Sequence, residues 1–179
     1  MLAAGGGARF AGREHKLLAP LRGRPVVAHA VGAAVEAGLD EVIVVTGAVD
    51  LSGVLPETVH VVHNPDWAAG QAGSLRVGVA VADTLGCDAV VVGLGDQPLV
   101  GPGPWRAVAA AEAPIAPASY EGRRRNPVRL AREVWPLLPT EGDEGARALM
   151  RVRSDLVGEV PCEGEPADID TLEDLERWN

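Results

Sequence analysis

Short β-branched runs alternate with stretches of helical spacing along this whole chain, and that alternation constrains its fold more than any other feature. Pro25–Ala37 carries apolar residues at helical intervals, with Pro near its start and Gly38 as a stop. Glu41–Thr46 reads as a buried strand, Val59–Val62 as a short one, and Ser74–Leu85 as a helix. Asp88–Leu94 is a strand buried on both faces, because Ala89-Val90-Val91-Val92 is a continuous apolar run ended by glycine and proline. The series goes on with a helix over Pro104–Glu112, a strand over Ile115–Tyr120 and its hairpin partner at Pro127–Leu130. A helix over Gly145–Arg153, a strand over Leu156–Val160 and a closing helix over Thr171–Trp178 complete it. This order predicts a three-layer, Rossmann-like α/β fold with a mostly parallel central sheet and a small β-hairpin insertion. No repeat, linker or low-complexity tract divides the chain, so residues 1–179 are expected to form a single domain. Aromatics are only 3% of the sequence, so Ala, Val and Leu must build its core.

Composition excludes several classes of function. No apolar run approaches the roughly 20 residues of a membrane-spanning helix, and no basic leader precedes a hydrophobic segment. Cys87 and Cys162 lack metal-type spacing and read as free thiols in a reducing cytoplasm. The net charge of −9 argues against a nucleic-acid-binding face. An acidic protein that binds a polyanion must gather its cations locally and call on a metal. Arg9, Arg13 and Lys16 form one such cluster; Arg123-Arg124-Arg125 is either a solvated hairpin tip or a substrate clamp.

Leu2-Ala3-Ala4-Gly5-Gly6-Gly7 describes a backbone that turns sharply and can close its N–H groups on an anion. Arg9 and Lys16 place two cations at the edge of that turn, suited to a triphosphate. The spacing matches neither a P-loop nor a dinucleotide fingerprint. Asp96, in Gly95-Asp96-Gln97-Pro98, falls at the C-terminal end of a strand, where open α/β sheets place their ligands. Asp170 lies in Asp168-Ile169-Asp170-Thr171, just before a capping box formed by Thr171 and Asp174. The carboxylates Asp96 and Asp170 beside a glycine cradle make a reasonable Mg²⁺–triphosphate site. Asp168 either shares the ion or hydrogen-bonds to backbone, and an Asx turn is an alternative role for Asp96. His15 reads as a solvent-exposed loop residue, with a phosphate contact as the alternative, and Trp67 as packing for its turn rather than stacking on a ring.

In these segments the chain resembles the MobA-like nucleotidyltransferases, and among them the molybdenum cofactor cytidylyltransferases. The resemblance rests on Leu2 to Lys16, Asn64-Pro65-Asp66-Trp67 with Gly70-Gln71 and Ser74-Leu75, and Gly95-Asp96-Gln97-Pro98. It continues through Asn126-Pro127-Val128, Gly142-Asp143-Glu144-Gly145-Ala146-Arg147 and Asp168-Ile169-Asp170-Thr171. It implies a nucleotidyltransferase fold, with Mg²⁺ as cofactor and an NTP and a molybdopterin-type acceptor as partners. A passing contact with a molybdoenzyme or its chaperone is also implied. Ala4 resembles the CTP-using form, so CMP transfer is expected, with guanylyl or another small-phosphate transfer as the alternative. A further alternative is an NAD(P)H-linked reductase of a nicotine-derived pigment on the same scaffold. By this resemblance Leu2 to Gly7, Arg9, Lys16, Gln71 and Ser74 bind the nucleotide, Arg9, Lys16 and Asp96 serve catalysis, and Asp96 and Asp170 hold the metal. Ser74 also suits an N-cap, and Arg147 either reaches an acceptor phosphate or pairs along its helix. Asn126-Pro127 departs from the His-Pro that the family often carries there. The resemblance also implies a longer strand before Leu2 than these residues supply, so either the start lies upstream or the first strand is very short. A truncated central strand would leave neighbouring backbone groups unpaired, at on the order of 1 kcal/mol per buried group.

Overall fold

A computed structural model describes residues 1–179. Its strands are β1 (Leu2–Ala3), β2 (Pro20–Leu21), β3 (Arg24–Pro25), β4 (Ile43–Thr46), β5 (His60–His63), β6 (Ala89–Val92), β7 (Ile115–Tyr120), β8 (Arg123–Ala131) and β9 (Val160–Pro161). The helices are α1 (Val26–Glu36), α2 (Gln71–Thr84), α3 (Pro102–Ala109), α4 (Ala146–Val152) and α5 (Leu172–Trp178). β1 pairs in parallel with β4, and β4 with β5. On its other side β1 meets the end of β6: Leu2 N–H donates to the Gly93 carbonyl (2.8 Å) and Gly95 N–H to the Leu2 carbonyl (2.8 Å). β6 then pairs antiparallel with β8, β8 antiparallel with β7, and β7 parallel with β9. The sheet therefore runs β5-β4-β1-β6-β8-β7-β9 with only β8 reversed, which is the mostly parallel α/β arrangement expected. The small β2–β3 ladder stands apart and leads directly into α1.

Two apolar clusters cover the sheet. Val27, Val31 and Ala34 of α1 pack with Val44, Leu51 and Trp105. Leu75 and Ala82 of α2 pack with Val92, Ile115, Leu130, Trp135 and Leu149. Burying such side chains contributes about 1.5–3 kcal/mol each for the larger ones. These clusters are small-residue cores with few rings, as the composition requires.

Several local expectations shift. α2 begins at Gln71, not Ser74, because Gly70 (φ 118°) turns the chain ahead of it. The arginine triplet lies within β8; the hairpin turns at Glu121-Gly122, where φ is 51° and 76°. Residues 154–156 form a single 3₁₀ turn, and the strand expected there is reduced to Val160–Pro161. The first strand is short, with two residues in the ladder. Between β4 and β6, beside Met1, lies a mostly apolar cavity of about 350 Å³, lined by Val42, Ile43, Val79, Ala82, Ala89 and Val90 among others. The Met1 α-amino group is buried at its end and donates to the Ile43 carbonyl (2.8 Å). Burial pushes that amino group down to about 5.

Candidate active site

The loop after β1 and the loop after β6 emerge side by side at the C-terminal edge of the sheet, because β1 and β6 are neighbours. A pocket of about 300 Å³ opens there. It is lined by Leu2 to Gly7, Lys16, Gln71, Ser74 and Asp96, together with Trp67 and Asp143. Residues that are distant in sequence but were expected to bind one nucleotide thus converge on one cavity. Arg9 and Asp170 stand at its side, joined to each other by an Arg9 Nη2–Asp170 Oδ2 contact of 2.8 Å.

The glycine turn is shaped by its neighbours. Gly7 adopts φ 61°, and a Cβ there would press on His15 Nε2 and Lys16 Cγ at 3.3 Å. A Cβ on Gly6 would meet the Trp67 ring at 2.9 Å. Trp67 therefore packs its turn as expected, and it does so against the glycine loop. His15 is not a bystander. Its Nδ1 accepts from Leu17 N–H (3.3 Å), which leaves Nε2 as the protonated nitrogen donating to the Gly5 carbonyl (3.0 Å). Burial holds the imidazole pKa below its usual value despite the Gly5 contact, favouring this neutral form. A histidine in a glycine-rich loop gave no sequence signal for this role, since the contact needs the loop to fold back on itself.

Lys16 is buried, and its ammonium donates to Asp96 Oδ2 (2.6 Å) and Asp170 Oδ1 (2.8 Å). Burial alone would lower its pKa, but the two carboxylates outweigh that and hold it above an ordinary lysine. The segment bearing Asp170 is fixed to the Asp96 loop by Ile169 N–H donating to the Asp96 carbonyl (2.8 Å). The expected capping box is present: Asp174 N–H donates to Thr171 Oγ1 (3.1 Å), and Thr171 N–H donates to Asp174 Oδ2 (2.9 Å). The same Oδ2 also accepts from Asp170 N–H (3.1 Å), so the cap orients the residue that pairs with Lys16.

Asp168 Oδ1 accepts from the Gln97 side-chain amide (2.8 Å) and not from a backbone N–H. Ser74 sits inside α2, where its hydroxyl accepts from the Asn64 amide (3.0 Å). No group of three or more His, Cys, Asp or Glu side chains converges as a metal cage. A divalent ion shared with phosphate oxygens does not require one. Asp96 Oδ1 is buried with no hydrogen-bond partner. Beside it the Lys16 ammonium already bridges two hard oxygen donors, so these residues fit a divalent cation. The arrangement combines an anion-accepting loop with a cation-seeking carboxylate pair.

In an open α/β sheet the switch between neighbouring strands such as β1 and β6 is where a ligand site falls, and this pocket lies there. The sequence model of the MobA-like NTP transferase domain matches residues 1–158, and the chain belongs to that family. Nucleotidyl transfer is the activity the family defines. The chain is 33% identical to nicotine blue oxidoreductase of Paenarthrobacter nicotinovorans, over 99% of its own length and 93% of the relative's. It is 31% identical to the purine catabolism protein PucB of Bacillus subtilis strain 168, over 98% and 92%. Among solved structures, Rv0371c of Mycobacterium tuberculosis H37Rv in complex with manganese superposes with TM-score 0.83 at 29% identity, covering 99% of this chain and 94% of that one. A nucleotidyl transferase of Methanothermobacter superposes with TM-score 0.80 at 28% identity, covering 98% and 92%. No helix is long and apolar enough to cross a membrane.

Proposed function

We propose that this protein transfers CMP from CTP to a molybdopterin-type acceptor in the cytoplasm, using Mg²⁺ and releasing pyrophosphate. The observation that carries the reading is the Asp96–Lys16–Asp170 contact beside the glycine loop, with Asp96 Oδ1 left unpartnered. The amides of Gly5, Gly6 and Gly7 wrap the β- and γ-phosphates. Arg9 and Lys16 neutralise charge that develops on the α-phosphate and on departing pyrophosphate. Asp96 and Asp170 hold the divalent ion, which supplies Lewis-acid stabilisation and a template for the phosphates when bound. Gln71 reads the base edge through its amide, and Ser74, anchored by Asn64, sits towards the ribose. An acceptor phosphate oxygen forms a bond to the α-phosphorus as the α–β bridging bond breaks, and pyrophosphate departs without a protein nucleophile. The preference for CTP follows from Ala4 and the family resemblance.

The test is pyrophosphate release from CTP, GTP and ATP in the presence of Mg²⁺ and molybdenum cofactor. Release specific to CTP, dependent on cofactor and lost in Asp96→Ala, is the expected result. Release from GTP alone would replace the base assignment. A second reading is favoured by the 33% identical relative named as an oxidoreductase: an NAD(P)H-linked reductase on the same scaffold. NADPH oxidation with a nicotine-derived pigment, without nucleotide turnover, would establish it.

A further inference from the structure

Gly5-Gly6-Gly7 has no side chains to fix its backbone, so the shape of the loop must come from its neighbours. Trp67 is one of them, pressed against Gly6. The other is His15, which is half-buried and does not line the nucleotide pocket. Its ring reaches back to the start of the loop. Nε2–H donates to the Gly5 carbonyl (3.0 Å), and a Cβ on Gly7 would stand 3.3 Å from the same nitrogen. The rest of His15 is anchored where the loop ends. Its carbonyl accepts from Leu18 N–H (2.8 Å) and Ala19 N–H (3.1 Å), and Nδ1 accepts from Leu17 N–H (3.3 Å). Those three amides belong to the turn that carries Lys16, whose ammonium joins Asp96 and Asp170. One side chain thus ties the entry of the glycine loop to the turn that holds the ammonium. Burial outweighs the Gly5 contact and the Lys16 charge adds to it, which favours the uncharged ring that these hydrogen bonds require.

We infer that His15 is a positioning residue for polyphosphate binding: its grip on the Gly5 carbonyl sets the glycine loop in the shape that accepts the β- and γ-phosphates. The inference rests on the nucleotide reading above and names the residue from which the loop takes its shape. In a trans peptide the carbonyl and the next N–H point in opposite directions. Holding the Gly5 carbonyl on the ring therefore turns the Gly6 N–H away from His15, towards the face of the loop that lines the pocket. An untied run of three glycines would sample many backbone shapes, and ordering it on arrival of the phosphates would cost affinity. A nucleoside monophosphate, which lacks the β- and γ-phosphates, does not draw on this tie.

The experiment compares the full chain with its His15→Met and His15→Gln variants, whose side chains are matched in length and uncharged. Only the glutamine amide can still donate to the Gly5 carbonyl. A third variant, His15→Asn, carries an amide too short to reach it. Circular dichroism checks the fold of each, and calorimetry in the presence of Mn²⁺ measures binding of CTP, CMP and inorganic tripolyphosphate. His15→Met and His15→Asn are each expected to weaken CTP and tripolyphosphate about tenfold, the effect of losing one hydrogen bond that orders the loop. CMP binding should be unchanged, and His15→Gln should recover most of the loss. A merely structural role would not separate the triphosphate from the monophosphate. Equal CTP binding by all four proteins would overturn the assignment and leave the nucleotide reading standing. A loss in His15→Gln as large as that in His15→Met would also overturn it. So would a CTP affinity that rises in mildly acidic solution in the parent chain and in none of the variants, because the imidazolium would then be holding a phosphate itself. Tripolyphosphate binding that depends on His15, in a protein that binds no CTP, would leave the tie standing and defeat the nucleotide reading. A chain that binds neither would defeat both.

Discussion

An ammonium with 11% of its side chain exposed, set 2.6 and 2.8 Å from two carboxylates, decides the electrostatics of this pocket. Without it, Asp96 and Asp170 would face each other with only the exposed Arg9 as counter-charge. Lys16→Met is therefore expected to destabilise the fold by about 2 kcal/mol, below the cost of breaking a fully buried pair because all three groups retain some solvent. The pKa of Lys16 is raised on folding, so its contribution is fully present below its unfolded value and fades only as pH rises through the folded one. The penalty of Lys16→Met should thus be constant from mildly acidic to mildly alkaline solution. Urea denaturation at several pH values checks this. The same variant frees Asp96 Oδ2 and Asp170 Oδ1, so Mn²⁺ should raise its melting temperature more than it raises the parent's, because binding to the folded state alone stabilises it. Equal shifts in both proteins would show that the ion binds elsewhere.

At the scale of elements, α5 is a short helix whose first turn carries the site. Asp174 Oδ2 accepts from Thr171 N–H, Thr171 Oγ1–H and Asp170 N–H, and this one carboxylate both caps α5 and orients Asp170. Thr171→Ala should cost about 1 kcal/mol, the usual worth of an N-cap. Asp174→Ala should in addition weaken metal-supported nucleotide binding, since the Asp170 backbone loses its anchor. Calorimetry with CTP and Mn²⁺ separates the two: an Asp174→Ala protein that is less stable yet binds unchanged would confine the cap to a stability role. This cap was legible in the sequence, as were most strands and helices, because their signals are local: apolar runs, a Thr with an acid at the third position, and Gly or Pro as stops. Asp96 could be placed at a strand end for the same reason. What escaped depends on tertiary closure. The turn that starts α2 at Gln71 requires glycine at position 70, whose φ is 118° and where a Cβ would run into the Gly142 carbonyl at 2.6 Å, a neighbour that no local window contains. The arginines of β8 looked like a loop, because charged runs carry no strand signal until β7 supplies the partner backbone. His15 and the Gln97–Asp168 contact were invisible for the same reason.

The molecule as a whole is held by one continuous sheet whose central member, β1, contributes two ladder residues. Below it the cavity between β4 and β6 leaves the Met1 amino group buried, with a single hydrogen bond to the Ile43 carbonyl. Burial lowers that group from 8.0 to about 5. Below pH 8 the unfolded chain binds a proton that the folded one refuses until about pH 5. Stability is therefore full above pH 8, falls as pH drops towards 5, and levels off below, with an upper bound of about 4 kcal/mol for three pH units. Acetylating Met1 removes the titration, so denaturation midpoints of the acetylated protein should vary far less between pH 5 and 8 than those of the free amine. Appending a short β-branched run ahead of Met1 should flatten the profile in the same way. It should also raise the midpoint throughout, because extended backbone in the cavity would pair with β4 and β6 and bury apolar side chains at about 25 cal/mol per Å². Parallel pH profiles for the free, acetylated and extended proteins would mean that the amino group reaches water in solution and that the cavity beside it closes.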